Sequence, residues 1–594
     1  MSCYSVESPI SGRPALQWSR LTVEKRHKEY ALFDVAGSLR PGRLTALVGP
    51  SGSGKTVLLQ SLAGRLEVSK SASISMFEDG CVTDLKSSAS RRNHVGLVSW
   101  NDELLASVTP REALEFSLTL RPPRNASKVA SLDLIDFYLS LLDLENSAHT
   151  PFSNLQNLNE KRFATIASEM VNERSVLLLD APLTGLSQLG GYQFIRNLKK
   201  LVGSSNILSG ILCSLLQPTS EVLALFDDII LMADKGQVIY QGAVGEMAKY
   251  FSKFGHECPP HYNVSDFALF VLHSITAIER DRIAAELRRT STLYRSEASE
   301  AHMGINSSLH CCKPKRRSGD VKKFQRQPYL VQMKYLAVRE YHDILRSWKS
   351  KILPRFVTSI IVSIVIGLVY FQIGDKVTVN SSSYYLMAYR GCIMVMCCNA
   401  MFANAQATVL ALPVQKDVFQ REHSLGMYSS IAYLSSKVPV EYTLSLFQVL
   451  VQLIISYFFC GLGGNFAVYL VVLLAVSICT DSIALSISCL TTSTIAAIQM
   501  LPLAIFPQII FSGLIISIAS MPSWVSWIQY MCFLPYALKI LTINEFGCAS
   551  IAQFTSNDIE CSFIVINALM LVVIAAIFRF IALIALQFKP RSYK

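Results

Sequence analysis

The sequence predicts an α/β P-loop nucleotide-binding domain followed by an all-α six-span transmembrane domain. Three observations carry that prediction. The stretch Leu44–Thr56, LTALVGPSGSGKT, reads as a strand running into a glycine-rich loop. The stretch Val176–Asp180 reads as a buried strand that ends in a carboxylate. Most charged residues precede Arg355, and most long apolar runs follow it.

The first stretch organises the rest. Leu44, Ala46, Leu47 and Val48 form an apolar run, then Gly49, Pro50, Ser51, Gly52, Ser53, Gly54, Lys55 and Thr56 follow, then a helical pattern, VLLQSLAG. Strand, G-x-x-x-x-G-K-T loop and helix in that order are the context a phosphate-binding loop needs. The glycines let backbone N–H groups turn inward around phosphate oxygens, and the helix start adds its positive dipole end. Lys55 is expected to reach the β- and γ-phosphates of ATP, and Thr56 to hold Mg²⁺. Asp180, at the end of the Val176–Asp180 strand, is expected to hold the same Mg²⁺ through water.

Composition bounds the alternatives. The chain has 594 residues, too many for one compact domain. Charged residues are only 16%, hydrophobic ones 51%, and mean hydropathy is +0.36, which places part of the chain in lipid. The formal net charge of +11 could point to nucleic acid. No aromatic-basic nucleic-acid motif accompanies it, and membrane-flanking Lys and Arg explain it more simply, so no nucleic-acid partner is expected. The fifteen cysteines show no metal-ligand spacing. The N-terminal MSCYSVESPISGRP lacks the apolar core of a secretory signal.

In chain order, residues 1–270 read as the nucleotide-binding domain, 271–328 as a basic cytoplasmic linker, and 329–594 as a connecting helix and six-helix membrane domain. Strands and helices alternate through the first part. Asp228–Met232 and Val238–Tyr240 flank Asp234-Lys235-Gly236, a hairpin signal. The linker carries Arg316-Arg317 and Lys322-Lys323, and is expected to be mobile, with a lipid-headgroup contact as an alternative.

LTALVGPSGSGKT…LAGR, TPREALEFSLTLRPP, LLLDAPLTGL, QPTSEVLALFDDIILM and CPPHYNVSDF, in that order, resemble the G subfamily of ABC transporters, the white-type half-transporters. The resemblance runs over nearly the whole chain. It implies ATP and Mg²⁺ as cofactors, a second half-transporter as partner, the lipid bilayer, and a hydrophobic small-molecule substrate.

Against that family pattern the chain departs at five places. The Q-loop glutamine position is Trp100. The signature Ser-Gly-Gly-Glu falls on Asn157-Leu158-Asn159-Glu160. The catalytic glutamate position is Ala181, the D-loop aspartate position Ser187, and the switch-histidine position Leu216. Ala181 cannot orient or deprotonate an attacking water, a loss that typically costs about 10²–10⁴ in rate. Leu216 cannot hydrogen-bond a phosphate, and Leu158 puts a side chain where the resemblance implies close backbone approach. Lys55, Thr56 and the backbone cradle are untouched. The resemblance therefore implies nucleotide binding with no intact catalytic residue.

Beyond the linker, QMKYLAVREYHDILRSW (within 329–350) is amphipathic, the connecting helix of the family. Spans are expected over Phe356–Gly374, Gly391–Gln415, two more on either side of Gly461-Leu462-Gly463-Gly464-Asn465, one near 495–519, and a last near 563–584. Lys351 and Arg355, Lys416 and Arg421, and Lys589, Arg591 and Lys594 lie on one side of these spans, so both termini are expected in the cytoplasm. Asp481 falls inside the fourth run. It is either a substrate or gating contact or a structural partner for a neighbouring helix. Arg390, at the outer edge of span two, can snorkel to the interface. The segment near 520–561 is expected as an outer loop. Its Cys548 and Cys561, where the resemblance places extracellular cysteines, are disulfide candidates, within one chain first and between chains second. Asn380 heads a glycosylation sequon in the first outer loop.

The expected function is ATP-coupled movement of a lipid, sterol or pigment-precursor class substrate across a plasma or internal membrane. A heterodimer is favoured, since a homodimer would carry two degenerate sites. The alternative is an ATP-binding regulatory pseudo-transporter that moves nothing.

Overall fold

The computed structural model describes residues 14–24, 30–78, 81–100, 104–121, 128–172, 174–204, 208–259, 262–276, 278–287, 327–374, 383–491, 493–515, 521–551 and 564–588. Most of the basic linker, Asn380 and Cys561 lie outside them, as does the side chain of Cys548. The chain divides into two compact units, Met1–Arg326 with Ser424–Met427, and Gln327–His423 with Tyr428–Lys594.

The first unit is built on two sheets. A six-stranded sheet has the order β10-β9-β3-β8-β7-β6, with β3 (Arg43–Val48), β6 (Val95–Ser99), β7 (Val176–Asp180), β8 (Gly210–Leu215), β9 (Asp228–Met232) and β10 (Val238–Ala243). Its inner pairs are parallel, and β10 runs antiparallel to β9. Every residue of β7 and β8 is buried, which is why both read as unbroken apolar runs. The expected β9–β10 hairpin forms, with Gly236 at φ +81 in its turn. The second sheet, order β2-β1-β4-β5, is antiparallel: β1 (Leu16–Glu24), β2 (Tyr30–Leu39), β4 (Ser73–Glu78) and β5 (Cys81–Asp84). Helix α1 (Lys55–Leu62) leaves the end of β3, and Leu58, Leu59 and Leu62 pack it into the core that also holds Trp18, Leu32 and Leu97.

The second unit is helical. Among the described residues, five helices are long and apolar enough to cross a membrane: Trp348–Val369, Met387–Pro413 (within Ser383–Ser424), Ser430–Cys460, Phe466–Leu490 and Ile564–Gln587. The expected fifth span falls on the 17-residue helix Thr494–Ile510, shorter than those five. At 1.5 Å per residue it covers about 26 Å, at the lower end of a crossing length. One correction concerns the expected outer loop. Residues Leu534–Ile551 are helical, and Leu534, Ala537, Ile540 and Leu541 bury one side against the membrane-unit core. Lys539 and Glu545 interrupt the apolar run, so hydropathy alone missed a helix that tertiary packing supports. Glu545 accepts hydrogen bonds from the N–H groups of Gly463 (2.7 Å) and Gly464 (2.8 Å), tying this helix to the turn between spans three and four.

The amphipathic helix Tyr329–Arg346 forms as expected. Arg339 makes a two-pronged pair with Glu422 (2.7 and 2.9 Å), and the Tyr428 hydroxyl donates to the same carboxylate (2.6 Å). Lys437 binds Glu340 at 3.0 Å. Asp481 is 4% exposed and serves as a helix-to-helix partner: Thr408 donates to it at 2.5 Å, and Arg579 of the last span reaches it at 3.3 Å and Ser482 at 3.1 Å. Arg355, at the base of the first span, donates to Asn404 and Gln448, and to Ser445 at 3.0 Å.

Candidate nucleotide-binding site

The carboxyl ends of parallel strands are where loops and a helix N-terminus can meet a ligand. Here β3 runs into the loop Gly49–Gly54, and Gly52 (φ +88) and Gly54 (φ +94) take left-handed backbone conformations that non-glycine residues rarely adopt. A Cβ on Gly49 would sit 2.3 Å from the Met232 carbonyl oxygen, so that position excludes any side chain. Lys55 opens α1, is 7% exposed, and curls back to donate to the carbonyls of Gly49 and Pro50, both at 2.8 Å. Burial holds its ammonium pKa below the usual lysine value, and the nearby Asp180 charge acts in the opposite direction.

The loop faces the end of β7. Thr56 Oγ1 donates to Asp180 Oδ1 at 3.2 Å, and Ser214 Oγ donates to the same oxygen at 2.7 Å. Hydroxyl and carboxylate oxygens are the hard ligands that suit Mg²⁺, so the donor set fits that ion. The loop, Lys55, Thr56 and Asp180 line one cavity of about 1420 Å³. Sequence reasoning had placed those residues together. It missed Ser214, which looks like one more residue in an apolar strand. It also missed Tyr30 and Phe33 of β2, which line the same cavity with ring centroids 5.1 Å apart and are 43% and 56% exposed. Exposed paired aromatics offer a stacking surface for a nucleobase. Their signal in the sequence was two aromatics three apart in a short polar context, with no spacing rule linking them to Lys55.

Trp100, Ala181 and Leu216 stand at the ends of β6, β7 and β8 and line the cavity as well. Ser187 sits elsewhere, accepting from the Gly190 N–H at 3.1 Å. The signature residues do not reach the cavity. Asn157 caps the helix Leu158–Met170, its Oδ1 accepting from the Asn159 N–H at 3.0 Å, and Ser147 donates to Glu160 at 2.8 Å. Ala181 has φ +48, and its N–H is held by Ser214 Oγ at 2.7 Å. A non-glycine residue there stores about 1–2 kcal/mol, and glycine returns roughly 0.5–1 kcal/mol of that in lost chain entropy. Ala181→Gly is therefore expected to stabilise the chain by up to about 1 kcal/mol. A thermal melt of the full chain that drops on this substitution would contradict the strain.

Three family descriptions match: "ABC transporter" over residues 32–184, and "ABC-2 type transporter" over 331–546 and again over 216–291. Protein white of Drosophila melanogaster is 28% identical over 580 residues, covering 94% of this chain and 81% of its own. The broad substrate specificity ATP-binding cassette transporter ABCG2 of Sus scrofa is 25% identical, covering 94% and 86%. The ABC transporter G family member 7 of Arabidopsis thaliana is 26% identical, covering 92% and 76%. A cassette order of nucleotide domain first and membrane helices second, matched nearly end to end by these relatives, makes the chain a multi-pass membrane protein of the ABC transporter G subfamily, the white- and ABCG2-type half-transporters.

Proposed function

We propose that this chain is the hydrolysis-poor half of a heterodimeric G-type transporter. In this reading it moves a hydrophobic or amphipathic substrate of lipid, sterol or pigment-precursor class, with both termini in the cytoplasm. The carrying observation is one cavity with two characters. Its P-loop side keeps Thr56 hydrogen-bonded to Asp180 with Lys55 lining the same cavity, while Ala181 and Leu216 occupy the neighbouring strand ends. The first set would bind a Mg-nucleotide: the loop N–H groups cradle phosphates, Lys55 supplies charge, and Thr56 with Asp180 would hold Mg²⁺, which neutralises the phosphate chain. The second set offers no base for water. Hydrolysis would then fall to the site on an intact partner's own P-loop.

The same experiment tests binding and the role of Lys55. The full chain in detergent is expected to bind a fluorescent Mg-nucleotide saturably. Lys55→Ala is expected to weaken that binding by roughly ten- to a hundredfold, the worth of a charge-assisted contact to phosphate. No saturable binding by the unaltered chain would remove the nucleotide role.

A regulatory pseudo-transporter is the second reading, and one contact favours it. Asn157, the first residue of the degenerate signature, is already spent on its own helix, accepting from the Asn159 N–H. Stimulation of ATP hydrolysis by a transport substrate, in the heterodimer, separates the two readings.

A further inference from the structure

We infer that Cys392 and Cys460 are a redox-active dithiol that closes to a disulfide between spans two and three. The inference goes beyond the nucleotide reading and rests on the proposed topology only for where the oxidant comes from. Cys392 lies in span two, and Cys460 ends span three, 68 positions later. Their sulfurs stand 3.6 Å apart, with the Cys392 S–H donating to Cys460 Sγ, and both residues are 0% exposed.

The backbone places the pair. Span three stops at Cys460 because Gly461 takes a left-handed conformation at φ +66, its N–H returning to the Tyr457 carbonyl. The end of span one packs on the other side of this corner. The Gln372 N–H donates to the Phe459 carbonyl at 3.0 Å, and a Cβ on Gly374 would collide with the Gly461 carbonyl oxygen. Cys460 is thus held from span one while its sulfur meets Cys392 of span two.

Disulfide sulfurs lie about 2.05 Å apart, so the pair must close by about 1.5 Å, within reach of side-chain rotation at both residues. Cys397 and Cys398 compete poorly, since five or six residues place them about 7.5 Å or more along the helix axis from Cys392. Among the described residues no group of three His, Cys, Asp or Glu side chains gathers that could hold a metal ion, and two thiolates alone make only half of a zinc site.

The reaction is thiol–disulfide exchange with a small-molecule disulfide such as glutathione disulfide. The Cys460 thiol loses its proton and attacks one sulfur of that disulfide, releasing one glutathione. Cys392, deprotonated in turn, attacks Cys460 Sγ of the mixed disulfide and releases the second. Two protein thiols are oxidised, one S–S bond breaks and one remains on the protein, and two glutathione thiols carry away the protons. Cys460 leads because it sits at a helix end beside a glycine-rich turn, where local opening costs least. Under the proposed topology this turn faces away from the cytoplasm, the side on which disulfides persist.

The test is a peptide map of the full chain, denatured in N-ethylmaleimide without reductant, directly from membranes and again after the solubilised chain meets glutathione disulfide. Expected is a peptide pair joined through Cys392 and Cys460, lost on reduction, with Cys397 and Cys398 alkylated. Cys397→Ala should keep the link. Cys460→Ser should abolish it and leave Cys392 alkylated. A link formed only after glutathione disulfide supports the dithiol and counts against the placement of this turn away from the cytoplasm. Alkylation of both Cys392 and Cys460 under both conditions overturns the inference, as does a link from either of them to another cysteine.

Discussion

Asp481→Ala is expected to destabilise the membrane unit by about 3 kcal/mol or more. Asp481 and Arg579 form an ion pair at 3.3 Å between spans four and six, with the Asp481 side chain 6% and the Arg579 side chain 21% exposed. Thr408 donates to the same carboxylate from span two. Removing the carboxylate leaves a guanidinium in an apolar layer with Ser482 Oγ, the Tyr442 ring, 5.1 Å from its centre, and the nearby Glu441 as its surroundings. An uncompensated charge costs more than the pair contributes, because desolvation is no longer offset. Adding Arg579→Leu to Asp481→Ala should therefore recover most of the loss. Thermal unfolding of the detergent-solubilised full chain compares the two. A double variant no more stable than the single one would show that the pair is not what links these helices.

What the sequence made legible was local. The P-loop is strand, loop and helix within the nineteen residues Leu44–Leu62, and each element carries its own signal, from a glycine-rich loop to an apolar strand. Asp180 was legible because the P-loop upstream gives a strand-end carboxylate a Mg²⁺ to hold. Residues brought in by distant pairing were not. Tyr30 and Phe33 reach the cavity only because β2 pairs with β1 in a separate antiparallel sheet. Ser214 reaches Asp180 only through the β7–β8 register. Asp481 was singled out as a charge in an apolar run, but Arg579, 98 positions later in another such run, was not matched to it. Helix Leu534–Ile551 was hidden for a related reason. One lysine and one glutamate lower its hydropathy, while the contacts that stabilise it come from other helices.

Mutating the catalytic glutamate of an intact partner half-transporter is expected to abolish ATP turnover by the heterodimer, whereas Ala181→Glu in this chain should restore little. The asymmetry follows from the strand ends taken together. A glutamate at position 181 would supply a base, a contribution of about 10²–10⁴ in rate where the rest of the machinery stands. Here Trp100 and Leu216 still crowd the same cavity with apolar groups, and the backbone at 181 holds φ +48 with its N–H on Ser214. The added carboxylate would also lie beside Asp180, and like charges so close resist joint ionisation. Groups that act as a unit are not restored singly. In the partner the opposite holds: its glutamate is the one family base the pair retains, so its loss has no substitute. ATP hydrolysis by the co-purified pair, measured with each change alone and with both, decides the matter. Near-normal turnover with the partner's glutamate removed would mean that this chain hydrolyses ATP by a group other than Ala181 or Leu216, and the heterodimer reading would lose its chemical basis.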